Sequence, residues 1–189
     1  MNTTVRYDEI LKKLARFENK RLLAELAWGG QIVAITSMLL FTFFAFLEYL
    51  CFFSPGVRSV FYYTWLGITG GSIVHFVLTP LYKRYFIVAA NPVRSALEAG
   101  SYFPQVKDDL MNVMQLVKVS DRRGFSEKLV VAAFDDIYDR IKELEFGSAV
   151  SFKKAKKLLI FTLISFILSG GSFTFSSAMK DAGLRIIDH

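Results

Sequence analysis

Residues Leu26–Leu47, LAWGGQIVAITSMLLFTFFAFL, form a run of 22 residues without a single Asp, Glu, Lys or Arg. At about 1.5 Å per residue, a helix of that length crosses a hydrocarbon core of roughly 30 Å. Two further runs share the property, 24 residues between Arg58 and Lys83 and 22 between Lys157 and Lys180. They account for a composition that is otherwise contradictory. Hydrophobic residues make up 53% of the 189, mean hydropathy is +0.37, and yet 23 Lys/Arg stand beside 17 Asp/Glu. Such segregation excludes an ordinary soluble globular protein and a disordered basic tail. The predicted fold is an all-α membrane protein with three transmembrane helices.

The basic residues are distributed unevenly around these runs. Six (Arg6, Lys12, Lys13, Arg16, Lys20, Arg21) precede the first, only Arg58 lies between the first and second, and 14 fall between Lys83 and Lys157. The excess of Lys and Arg marks cytoplasmic segments, which predicts the N-terminus inside, the Ser54-Pro55-Gly56 connection outside, the middle segment inside and the C-terminus outside. The net charge of +6 is thereby read as a topology signal, since no aromatic-rich basic strand or recognition helix accompanies it. The lipid bilayer as the first partner, with no nucleic acid, follows from this reading. A cleavable signal peptide is disfavoured, because the first apolar run is too long for an h-region and follows some 26 charged, helix-forming residues. Cys51 stands alone, so no intrachain disulfide and no thiolate cluster can form.

Five segments are expected. Residues 1–26 carry Tyr7, Ile10, Leu11, Leu14, Phe17, Leu22, Leu23 and Leu26 at near-helical spacing among charges. This is an amphipathic helix lying either at the membrane interface or on the protein's own cytoplasmic residues. Residues 27–82 form a transmembrane hairpin, spans one and two running antiparallel about a tight turn, with Tyr62, Tyr63 and Trp65 near the outer face. Residues 83–157 form a small cytoplasmic module of about three helices, opened by Asn91-Pro92, broken at Gly100-Ser101, restarted at Pro104 and again at Ser126. Residues 158–179 form the third span, preceded by Lys153, Lys154, Lys156 and Lys157, and residues 180–189 begin an extracytoplasmic region.

Candidate functional residues are few. Gly67 and Gly71 make a GxxxG pair in span two, and Ser165, Ser169, Ser172 and Ser176 recur every three or four residues in span three. Lipid supplies no hydrophobic drive between helices, so small residues that let backbones approach mark packing seams, either between spans two and three or toward a partner. Glu48 and His75 are the ionisable groups within the apolar runs, and each is costly in hydrocarbon. Glu48 lies near the outer end of span one, within reach of the headgroups or of Arg58 across the hairpin, and His75 lies toward the opposite end. Asp135, Asp136 and Asp139 could ligate a hard cation, but with no histidine nearby the favoured reading is a solvated helix face. Arg122-Arg123-Gly124-Phe125-Ser126 offers a phosphate grip or a phosphorylation site. No nucleotide loop, nucleophile elbow or metalloprotease motif is present, so no catalytic residue, cofactor or metal is expected.

Leu47-Glu48-Tyr49, Phe52-Phe53-Ser54, Val57-Arg58, the stretch from Tyr102 to Leu116 with the pattern FPxVxDxLxNxxQL, Phe146–Lys154 and Arg185–His189 occur in one order. In this the chain resembles the N-terminal part of the large bacterial envelope proteins grouped as domain of unknown function 4175. The resemblance implies two spans, a helical cytoplasmic stretch and a third span ahead of a long extracytoplasmic region, and it carries no functional residues. The expected role is a non-enzymatic inner-membrane anchor that scaffolds a membrane complex or a homo-oligomer. The alternative is a subunit of an ion-driven or transport machine using Glu48 and His75.

The charge distribution makes a direct prediction. With Cys51 replaced by Ser, single cysteines placed at Ser54 and at Ser101 are expected to react with a membrane-impermeant maleimide from opposite sides of intact inner-membrane vesicles. Labelling of both from one side contradicts the alternation.

Overall fold

The computed structural model of the chain describes residues 3–88, 92–103, 108–109, 111–112, 135–136 and 138–188, and every regular element among the described residues is helical. Helix α1 runs unbroken from Thr3 to Cys51. No proline interrupts it, and the only helix-weakening pair in its interior is Gly29-Gly30. It stops where Phe52 adopts a left-handed φ of 48°, a conformation costly for a bulky residue. Ser54 is extended, Pro55 occupies the first turn, and α2 spans Pro55–Ile73. A π-helical turn, Val74–Leu78, follows, then α3 (Thr79–Tyr82) and a second π stretch, Lys83–Val88. The first π turn has an identifiable cause. Pro80 has no N–H to send to the Phe76 carbonyl, and both the backbone N–H and the hydroxyl of Thr79 donate to Val74 O, five residues back. Helix α4 is Pro92–Gly100, a 3₁₀ turn covers Phe146–Ala149, and α5 (Lys153–Phe175) and α6 (Ser177–Ile187) complete the described elements.

Three helical stretches, Asp8–Cys51, Pro55–Phe86 and Lys153–Phe175, are long and apolar enough to cross a membrane. The chain divides into two compact units, one of Met1–Leu23 with Leu81–Ser151 and one of Ala24–Pro80 with Phe152–His189.

In the first, polar unit, Ile10, Leu14 and Phe17 of α1 are buried against Ala96 and Ala99 of α4 and against Tyr138, Ile141 and Phe146. Of the two places expected for the apolar stripe, the membrane interface and the protein's own residues, Ile10, Leu14 and Phe17 take the second, an i, i+4, i+7 row packed on the small residues of α4. Charged groups rim the core. Arg6 pairs with Asp135, Arg21 with Glu98, and the Arg84 guanidinium donates to Asn19 Oδ1 at 2.9 Å. The Tyr138 hydroxyl donates to the Glu9 carboxylate, which raises its pKa above the usual phenol value. Lys142 donates to Asp139 at 2.8 Å, raising the lysine and lowering the aspartate, as a hydrogen-bonded ion pair must. The expected helices from Pro104 and from Ser126 fall mostly outside the described residues.

In the second, apolar unit, α1 and α2 run antiparallel in a register that ring contacts define. Phe44 stacks on Phe61 at 4.8 Å, Phe41 meets Trp65 at 5.3 Å, and Trp28 meets Phe76 edge-on at 5.7 Å. Trp65 turns its indole N–H toward α1, to the carbonyl and hydroxyl of Ser37, both at 3.1 Å. Its aromatic body fills the seam while its one donor is satisfied inside the helix pair. The third span ends earlier than expected. The chain leaves the helix at Ser176 (φ −124°, ψ 105°), whose side chain caps α6 by accepting from Met179 N–H. Residues 177–187 are thus a separate amphipathic helix, with Met179, Ala182, Gly183 and Ile186 buried. They pack with Phe44 and Ala45, and with Leu40, Phe41, Phe61, Trp65 and Phe173 around them.

At Gly29, α1 lies close against the first π turn. A Cβ there would lie 2.5 Å from the Phe76 carbonyl oxygen, the acceptor that Pro80 leaves without its α-helical partner. A glycine Cα–H pointing at that oxygen makes a weak hydrogen bond that no other residue permits. Gly29→Ala is therefore expected to push the helices apart and cost about 1–3 kcal/mol, read as a lower unfolding midpoint in detergent. Gly30→Ala, where an added Cβ meets nothing within 4 Å, is expected to leave the midpoint at or slightly above wild type, since alanine is the better helix former.

Candidate functional site

A deeply buried ion-pair cluster is centred on Glu48. Its position follows from helix length: α1 ends one turn later, and the left-handed Phe52 turns the chain so that the Phe53 N–H points back at Glu48 Oε2, 3.1 Å away. Arg58, in the first turn of α2, brings Nε to 3.0 Å from Oε1, aligned as an ion pair and off the angle of a hydrogen bond. Arg185, near the end of α6, donates from Nε to the same Oε1 at 3.2 Å. The Glu48 side chain is 0% exposed, while Arg58 and Arg185 retain 20% and 34%. Arg185 also lies over the Phe52 ring, 5.0 Å from its centroid, a cation–π contact that holds the residue in left-handed geometry.

One carboxylate thus ties three elements together through two guanidiniums and an amide. Two cations against one anion leave the cluster with a formal charge of +1, and the exposed arginine faces turn that excess outward. Sequence reading reached the Glu48–Arg58 pair but missed Arg185. The available signal was its place near the end of a residue-177–187 stretch with an apolar face, which the early end of the third span obscured.

His75 is exposed, sits in the first π turn and meets the Phe76 ring edge-on at 4.7 Å. Phe76 is opposite Gly29, and 19 residues of α1 separate Gly29 from Glu48, about 28 Å along a helix axis. The structure does not bring the two ionisable residues together.

The small-residue seams also separate. Ser165 is buried and donates to Phe161 O within its own helix, Ser172 donates to Ser169 O, and Ser176 caps α6. Ser169 receives the Thr42 hydroxyl at 2.7 Å, so the serine face of α5 meets α1, where packing with α2 was expected. Gly67 and Gly71 of α2 are exposed, and a Cβ at either, or at Gly70, meets nothing within 4 Å. In the acidic group, Asp135 faces Arg6, Asp136 faces Arg140 at 2.9 Å and Asp139 faces Lys142. Each carboxylate has a cation of its own, the pattern of a charged helix face. Residues 122–126 lie outside the described residues. Cys51 is exposed at the end of α1.

Compared with protein-family models, with curated proteins and with solved structures, the chain matches none.

Removing the carboxylate isolates two guanidiniums and an amide. Glu48→Ala is expected to destabilise the apolar unit by about 3–5 kcal/mol, measured by denaturation in detergent, with cleavage in α6 appearing first under limited proteolysis. A midpoint equal to wild type contradicts the structural role.

Proposed function

We propose that the chain is a non-enzymatic membrane anchor and interaction module. Its three apolar helices cross a bacterial inner membrane with the N-terminus and the polar unit on the cytoplasmic side, and α2 presents a small-residue face to the helix of a partner or of a second copy. The observation that carries this reading is the uncovered face at Gly67, Gly70 and Gly71, in a unit whose other small-residue seam is occupied by its own α1. In lipid, a face without large side chains lets a second backbone approach closely enough for dispersion and Cα–H contacts to hold two helices together. The sidedness rests on the 14 basic residues between Lys83 and Lys157 against one in the α1–α2 connection.

The surface composition of the apolar unit supports a lipid environment. Ile160, Phe161, Phe166, Ile167 and Leu168 on α5, and Val60, Tyr63 and Leu66 on α2, are all exposed. Contiguous apolar surface on this scale is tolerated in hydrocarbon and promotes aggregation in water. The resemblance to the domain-of-unknown-function 4175 proteins extends the proposal to a larger envelope polypeptide of which these residues are the membrane-embedded part.

The test is capture of the native protein in mild detergent after crosslinking in membranes. The expected result is a crosslinked species above monomer mass that Gly67→Leu with Gly71→Leu reduces by roughly tenfold, since a lost packing contact of about 1.4 kcal/mol is a factor of ten. The variant is expected to unfold at the wild-type midpoint, because among the described residues nothing lies within 4 Å of a Cβ at either position. Recovery of the wild-type chain as a monomer without partners overturns the proposal.

A further inference from the structure

A cavity of about 360 Å³ opens on the polar unit, lined by Lys13, Arg16 and Lys20 of α1 and, across from them, by Glu145, Phe146, Gly147 and Ser148. The three basic residues recur at intervals of three and four, so they share one helix face. Their roles differ. The Lys13 ammonium donates to the carbonyl of Lys142, and the Lys20 ammonium donates to the carbonyl of Gly147 at 2.8 Å. An ammonium has three N–H donors. Each lysine is therefore held in place by backbone while keeping two donors for something else. Arg16 is exposed and makes no ion pair among the described residues, so all its donors are available. Phe146, buried at 1% exposure, forms the apolar floor. The Ser148 hydroxyl donates to Glu145 O at 2.7 Å, which leaves its oxygen as the rim's neutral polar group. Glu145 is the single acid of the lining, leaving three cations against one anion.

We propose that this cavity is a binding site for a phosphate group. A tetrahedral oxyanion with several acceptor oxygens matches two tethered point charges and one guanidinium fork, the combination that gives short, charge-assisted hydrogen bonds. The volume lies at the lower end of the roughly 300–1,000 Å³ typical of small-ligand pockets. The acidic residue disfavours larger polyanions by adding a repulsive carboxylate at the rim. Two sources offer the same chemistry, the headgroup of an anionic lipid and free phosphate. The lipid source is favoured by sequence distance, since Lys20 precedes the charge-free run at Leu26 by six residues within one unbroken helix, and basic pockets next to spans collect anionic headgroups. That source rests on the membrane reading above, whereas the phosphate site itself does not.

The experiment uses the full chain in two arms. In nanodiscs of phosphatidylcholine with and without phosphatidic acid, native mass spectrometry reads the lipid retained by the protein. In neutral detergent, calorimetric titration reads binding of inorganic phosphate. The expected result is retention of phosphatidic acid that Arg16→Gln weakens by roughly tenfold, the equivalent of one lost charge-assisted hydrogen bond. Lys12→Gln, a charge change on the same helix outside the cavity lining, is expected to leave retention unchanged. Inorganic phosphate binding with the same dependence on Arg16 also supports the site and identifies free phosphate as a ligand. Retention of phosphatidic acid alone identifies the lipid. Failure of both probes overturns the proposal, and so does equal weakening by Lys12→Gln and Arg16→Gln, which would mean diffuse surface charge. Circular dichroism of each variant at the wild-type midpoint establishes that the fold is intact in every arm.

Discussion

The carboxylate of Glu48 is the constraint around which the apolar unit is organised. An ionised group with no solvent exposure is expensive unless every lone pair is engaged, and here one oxygen faces Arg58 and Arg185 while the other accepts the Phe53 amide. Satisfying it requires α2 to begin where it does, so that Arg58 falls in the first turn, and requires α6 to fold back after Ser176. It also requires the left-handed Phe52, whose positive φ closes α1. Polar contacts of this kind give orientation in a unit whose apolar contacts are non-directional.

The rest of the hairpin follows from close approach. In water, burial of large apolar side chains holds helices together, but many of the large side chains of α2 and α5 stay exposed. What holds α1 to α2 is local fit: the Gly29–Phe76 approach, the Trp65 indole bond to Ser37, and the stacked Phe44 and Phe61. The π turn beside Pro80 belongs to the same logic, since it redistributes carbonyls that a proline has orphaned. The polar unit is held differently, by an ordinary buried core of Ile10, Leu14, Phe17, Ile141 and Phe146 with ion pairs at its rim.

Much of this was legible in the residues. Charge-free runs of 22 and 24 residues are visible because charge is excluded from hydrocarbon, and the antiparallel hairpin follows from the shortness of Ser54-Pro55-Gly56. The Glu48–Arg58 pair could be read because both residues flank one tight turn. Arg185 could not, since it lies 137 positions from Glu48 and nothing local records a long-range pair. The end of the third span was misplaced because Ser177, Ala178 and Met179 are uncharged, so composition continued smoothly past the break at Ser176. The choice of seam partner was likewise hidden: GxxxG and spaced serines mark a close-packing face but do not say which helix fills it. Nothing local singles out Gly29 either, and only the opposing Phe76 carbonyl gives it a purpose.

The most direct test of the central claim is a double-mutant cycle between Glu48 and Arg185, using Glu48→Gln, Arg185→Gln and the pair, with unfolding free energies measured in the same detergent. If the buried carboxylate ties α6 to the hairpin, the two changes are expected to be non-additive, with a coupling of at least about 1 kcal/mol. Strict additivity would show that the two residues do not share an interaction, and would contradict the account.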